Sequence, residues 1–146
     1  MSSARITEEL GYLIKEVQQE LRKKMDKSLA QLNLTTPQYS VLSQLRECPG
    51  LSNAELARKS FVTPQTMNLI VQNLEERRWV IRAPSKDHGK IMNTEMTESG
   101  IEILAKANGM VLGVEKQIFG VLSKDESNDL KLLLQKIRRP ATRLQP

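Results

Sequence analysis

Residues 6–32 carry apolar side chains at Ile6, Leu10, Leu13, Ile14, Val17, Leu21, Met25, Leu29 and Leu32. These recur at helical spacing and line one stripe, with Lys15, Glu16, Arg22, Lys23, Asp26 and Lys27 between them. The pattern predicts one long amphipathic helix, with Thr7 as an early cap. A helix of that length in a chain of 146 residues needs something to cover its stripe. A second copy of the chain is the economical cover. The far end repeats the theme. Thr97-Glu98-Ser99-Gly100 caps a helix with a stripe of Ile101, Leu104, Val111, Val114, Ile118, Val121 and Leu122. Ser123 to Glu126 forms a capping box, and Leu130, Leu133, Leu134 and Ile137 follow until Pro140 stops the last helix.

Between these ends the elements are short. Thr36-Pro37 opens a second helix, since Thr caps well and Pro suits the first turn. Its face is Tyr39, Val41, Leu42 and Leu45, and Cys48-Pro49-Gly50 ends it. Ser52 with Glu55 forms a capping box for a third helix, which turns Leu56 and Ala57 inward. Thr63-Pro64 opens a fourth, whose buried stripe is Met67, Ile70, Val71 and Leu74. Residues 79–83 read as a strand, 84–89 as a polar turn and 90–96 as a returning strand. The predicted fold is mainly α with a small β-hairpin wing: a winged helix-turn-helix with flanking long dimerisation helices. The whole of 1–146 forms one domain, with the DNA-binding part at 35–97 and the dimerisation helices at 1–34 and 98–146.

The net charge of +5 suits a polyanionic partner. No basic or acidic tail exists, so a basic surface must be assembled by folding. The single cysteine, Cys48, excludes an intrachain disulfide, reads as a structural thiol and fits a reducing cytoplasm. No apolar run approaches the ~18 residues of a membrane span, and the first residues lack a signal-peptide core. A cytoplasmic protein is expected. There is no Gly-rich phosphate loop, no Cys/His cluster and no nucleophile beside a base, so neither an enzyme nor a cofactor or metal site is expected.

The fourth helix is where the sequence speaks most directly to function. Thr63, Gln65, Thr66, Asn68, Leu69, Gln72 and Asn73 lie off its buried stripe. From Phe61 to Leu74 there is no Lys, Arg, Asp or Glu. Gln and Asn pair with adenine, Thr bonds several base edges, and apolar groups touch the thymine methyl. The face therefore predicts base reading of an A/T-leaning site in double-stranded DNA. Affinity must come from cations around it, namely Arg58, Lys59, Arg77, Arg78, Arg82, Lys86 and Lys90. The helix starts at Thr36 and Ser52 add backbone N–H groups for phosphate. Two subunits would span half-sites roughly 34–36 Å apart on a palindrome.

Four segments, in order, resemble the MarR family of regulators. Leu34 to Leu42 looks like its second-helix signature, Leu51 to Ala57 its third helix, Val62 to Glu75 its recognition helix and Met96 to Gly100 the motif after its wing. The resemblance spans 6–139. It implies a triangular homodimer interlocked by the first, fifth and sixth helices, often a repressor released by a small aromatic or phenolic ligand. Such a pocket would lie between the first, second and fifth helices, with Tyr12, Leu13, Tyr39, Leu42 and Met110 as liners. The family's peroxide sensors carry a reactive cysteine in the first helix, and this chain has none there. Its wing departs from the family's Asp-x-Arg pattern. Those positions hold His88 and Lys90, with Asp87 one residue early, and Lys lacks the planar fork of Arg. Arg78 stands where a glycine is common. The alternative reading is a winged-helix interaction module that no longer binds DNA. Failure of any operator-sized duplex to shift at low salt would favour it.

Overall fold

A computed structural model describes residues 5–87 and 89–138. The elements run α1 Leu10–Leu29, α2 Thr36–Glu47, β1 Leu51–Ser52, α3 Asn53–Ser60, α4 Pro64–Glu76, β2 Val80–Pro84, β3 Met92–Met96, α5 Glu98–Phe119 and α6 Lys124–Arg138. Short 3-10 turns at Ile6–Glu8 and Ala30–Leu32 flank α1. The continuous helix expected over 6–32 is thus confined to its middle. Thr7 falls inside the first 3-10 turn, and Glu9 occupies the N-cap without a side-chain bond. Pro140 and His88 lie outside the described residues.

Capping decides where the helices begin. Ser52 and Glu55 close a capping box on α3, and Ser123 and Glu126 do the same for α6. At α2 the cap is one residue earlier than expected. Thr35 accepts from Gln38 N at 3.2 Å, while Gln38 Oε1 accepts from Thr35 N at 3.0 Å. Thr36 instead sits in the first turn and donates its hydroxyl to Asp26 at the end of α1, at 2.5 Å. That hydroxyl, together with Arg22, holds the Asp26 carboxyl below its ordinary value.

Helix ends share one device. Asn33, Phe61 and Arg78 all adopt the left-handed conformation, with φ of 55°, 55° and 62°. Each is followed by a paired closure: Leu34 N to Leu29 O, Val62 N to Ala57 O, and Trp79 N to Leu74 O, at 3.0–3.1 Å. These are Schellman motifs, which usually employ glycine. A side chain there costs about 1–2 kcal/mol. Phe61 recovers nothing by packing, being 95% exposed. Phe61→Gly is therefore expected to stabilise the chain by about 0.5–1 kcal/mol after glycine's entropic penalty. Urea denaturation checks it, and equal or lower stability would refute the strain.

The wing is broader than a hairpin. The sheet order is β1-β3-β2, all antiparallel, with Leu51 opposite Thr94 and Val80 opposite Met96. The two-residue β1 is too short to leave a pattern in sequence. The expected strand at 79–83 starts at Val80, and the returning strand starts at Met92 rather than Lys90.

Leu29, Val41, Leu42, Leu45, Leu56, Met67, Val71, Leu74, Val80, Leu104 and Ala107 form one core beneath the helix-turn-helix and the first half of α5. It reaches α1 only near its C-terminal end and does not reach α6. α6 buries no residue, and α1 buries only Leu29. Of the stripe expected on α5, Leu104 and Val114 are buried and Ile101 is half-open, while Val121 and Leu122 fall in the turn after the helix, where Val121 is 85% exposed. α1, α5 and α6 wall an apolar groove of about 520 Å³, lined by Leu13, Val17, Ile118, Leu122, Leu130 and Leu134 among others.

Candidate nucleic-acid interface

α4 is held on the surface by its ends and its stripe. Thr63 caps it, accepting from Thr66 N at 3.1 Å, with Pro64 in the first turn. Asn53 of α3 donates to the Pro64 carbonyl at 3.1 Å, which fixes the angle between the two helices. Met67, Val71 and Leu74 are buried, and Ile70 packs partly exposed against the same core. This leaves Gln65, Thr66, Asn68, Leu69 and Gln72 exposed on one uncharged face. Leu69 stands 68% exposed among the amides.

Four of the seven residues assigned to that face are already engaged, Asn68 through its Oδ1, which accepts from Arg82. Thr63 and Thr66 hydroxyls lie 3.0 Å apart, so each occupies part of the other's bonding capacity. Asn73 is set back from the face. It is half-buried, and its Oδ1 accepts from Gln38 Nε2 at 2.8 Å. The helical period placed Asn73 off the stripe, but α2 packs close enough to claim it.

The cations divide in the same way. Arg58, Lys59, Arg78, Lys86 and Lys90 are exposed around α4 and the wing, with no ion pair among the described residues. Arg77 is different. Its guanidinium stacks 4.9 Å above the Trp79 ring and donates to the Asn33 carbonyl, bracing the end of α4 against the turn between α1 and α2. Arg82 is turned to α4, donating to Asn68 Oδ1 at 2.8 Å with its Nε 3.6 Å from Glu75. Neither hangs free as a flexible phosphate contact. At the starts of α3 and α2 the capping boxes use two backbone N–H groups each. Ser52 is buried, its hydroxyl accepts from Glu55 N at 3.2 Å, and Glu55 reaches back to the Ser52 N–H at 3.4 Å. The Thr35–Gln38 box closes α2 similarly.

The expected ligand liners are not gathered into one cavity. Leu42 is fully buried core, and Leu13 lines the apolar groove. The Tyr39 hydroxyl donates to Asn108 at 2.7 Å, tying α2 to α5. Tyr12 is exposed and Met110 half-exposed on their separate helices. Cys48, expected as a structural thiol, is exposed. It lines a shallow cleft with Ser40, Ser43, Gln44, Glu47 and Lys59, which adds a cation that the sequence near Cys48 does not reveal.

No described helix is long and apolar enough to cross a membrane. Residues 32–91, from the end of α1 through the wing loop, match the model of the MarR family. The HTH-type transcriptional repressor Rv2887 of Mycobacterium tuberculosis is 34% identical over 128 residues, covering 88% of this chain and 92% of the relative. A crystal structure of that M. tuberculosis protein in complex with salicylic acid superposes with a TM-score of 0.75 at 33% identity, covering 88% of this chain and 96% of the other. Its complex with DNA gives a TM-score of 0.75 at 31% identity, covering 88% and 97%. With the winged helix-turn-helix, the ordered motifs and this near full-length similarity in agreement, the chain belongs to the MarR family of transcription regulators.

Proposed function

We propose that the chain is a homodimeric transcriptional repressor that reads an A/T-leaning palindrome with α4 and is released by a small aromatic acid. One observation carries the base-reading part: an exposed face of amides, a hydroxyl and Leu69, without any charge, while Arg58 and Lys59 on α3, Arg78 just after α4 and Lys86 and Lys90 in the wing loop are exposed. Such a face attracts no phosphate by itself. It discriminates base edges once surrounding cations have brought DNA close. The M. tuberculosis relative crystallised with DNA supports the same use of the fold here.

Gln65→Ala is expected to lose about 1–3 kcal/mol of discrimination at the base pair it reads, with the other pairs unaffected. Lys90→Ala is expected to weaken all sequences alike and to flatten the salt slope by about one charge. Fluorescence anisotropy on base-substituted duplexes at several salt concentrations separates the two. Identical profiles for parent and Gln65→Ala would refute base reading by this face.

Release by a ligand draws support from the relative's complex with salicylic acid. Titrating salicylate into the protein–duplex complex tests it. Dissociation at concentrations that leave the free duplex unchanged is the expected result, and an unaffected complex would refute it.

A further inference from the structure

We propose that Arg82 is a specificity-determining positioning residue, which fixes Asn68 so that its amide faces DNA as a hydrogen-bond donor. The proposal rests on α4 being the base-reading helix.

Arg82 lies on β2 opposite Thr94 of β3, so the sheet fixes its backbone. Its side chain is only 19% exposed. Asn68 and Glu75 are seven residues apart on α4, which is two turns and hence one face. The guanidinium lies along that flank. Nη1 donates to Asn68 Oδ1 at 2.8 Å, and Nε faces the Glu75 carboxylate at 3.6 Å. The carboxylate helps to hold the guanidinium, and the guanidinium holds the amide.

The chemistry of the pair determines which way Asn68 points. A guanidinium has donors only, so the amide must present its oxygen to it. The two Nδ2 hydrogens are then the part of Asn68 left for another partner. A free asparagine can flip and offer either edge, and its preferred base is adenine through a two-bond pair. Pinned by its oxygen, Asn68 instead seeks acceptors, which in the major groove are purine N7, guanine O6 and thymine O4. Cytosine, which offers an N4–H₂ donor, is disfavoured. Arg82 would thus change the reading of a base pair that it does not touch.

The test compares duplex selections from a random pool for the parent, Asn68→Ala, Arg82→Met and Asn68→Asp. Asn68→Ala identifies the base pair that Asn68 reads. At that pair, Arg82→Met is expected to shift the preference about tenfold towards adenine, because the freed oxygen can accept from N6 while the amide donates to N7, leaving other positions unchanged. Combining it with Asn68→Ala should remove nothing further at that pair. Asn68→Asp keeps the partner of Arg82 but replaces the donor with an acceptor, so the preference should move to cytosine. This variant retains the buttress if Arg82→Met folds poorly. In DNA-free protein, the Asn68 side-chain amide resonances should shift in Arg82→Met.

Uniform weakening of every duplex by Arg82→Met, with a shallower salt slope, would make Arg82 a phosphate contact and overturn the proposal. So would an unchanged profile, unmoved Asn68 resonances, or a loss of preference at all positions together. Enrichment of no duplex by the parent would instead refute the base-reading function itself, a failure distinct from a parent profile that Arg82→Met leaves intact.

Discussion

Leu133→Glu is expected to leave each subunit folded, to dissociate the dimer and to lower DNA affinity at least a hundredfold. Leu133 is 57% exposed in the single chain, and α6 buries none of its side chains. A polar substitution at such a site ordinarily shifts subunit stability by no more than about 0.5 kcal/mol. In a two-fold dimer the same change enters the interface twice. Each copy sets a carboxylate on the exposed apolar stripe that α6 shares with Leu130, Leu134 and Ile137, and covering it without a partner costs several kcal/mol. Without the dimer, the second half-site binds as a separate event and the roughly 10²–10⁴-fold advantage of linkage disappears. Sedimentation and duplex binding on one preparation check both halves. A persistent dimer at micromolar concentration would contradict the account.

Gly100→Ala is expected to destabilise the fold by about 3 kcal/mol, near the upper end for overpacking. A Cβ at Gly100 would stand 2.1 Å from the Trp79 carbonyl oxygen and 3.0 Å from its carbon. Both are backbone atoms, and their surroundings hold them in place. Thr97 Oγ1 donates to Arg78 O at 2.7 Å, and Thr97 N donates to Trp79 O at 3.0 Å. This joint connects the base of the wing to the start of α5, so it also sets the angle between the reading head and the outer helices. Gly109 is an internal control on the same helix, because a Cβ there meets nothing within 4 Å. Gly109→Ala should stabilise by up to about 1 kcal/mol through helix propensity alone. Thermal unfolding of the two variants should move in opposite directions. Equal shifts would refute the steric reading of the joint.

Local signals carried most of the fold. Thr-Pro and the Ser–Glu boxes mark helix starts because their partners lie three residues away, and the apolar stripes mark the inward faces. The ends were harder to read. Asn33, Phe61 and Arg78 take conformations normally reserved for glycine, so the usual stop residue is missing at each. Arg78 is the instructive case. It replaces the glycine common in the family yet keeps the left-handed turn. The candidate site was legible as a face but not as individual partnerships. Gln38 with Asn73, Arg77 with Asn33 and Arg82 with Asn68 join residues distant in sequence. Only the packing of α2, the turn between α1 and α2, and β2 against α4 creates them. The expected ligand liners were likewise legible only as helix faces. Helical period placed Leu42 and Tyr39 on one apolar face, whereas the core took the first and Asn108 the hydroxyl of the second.

The central claim is that α4 reads bases with uncharged groups while cations around it supply the attraction. Selection of bound duplexes from a random pool at low salt, run in parallel on the parent and on Gln65→Ala, tests it most directly. The account predicts an A/T-leaning inverted repeat with half-sites about 10–10.5 base pairs apart for the parent. It predicts loss of one defined position per half-site in the variant. No enrichment by the parent, or the same motif from both proteins, would contradict it.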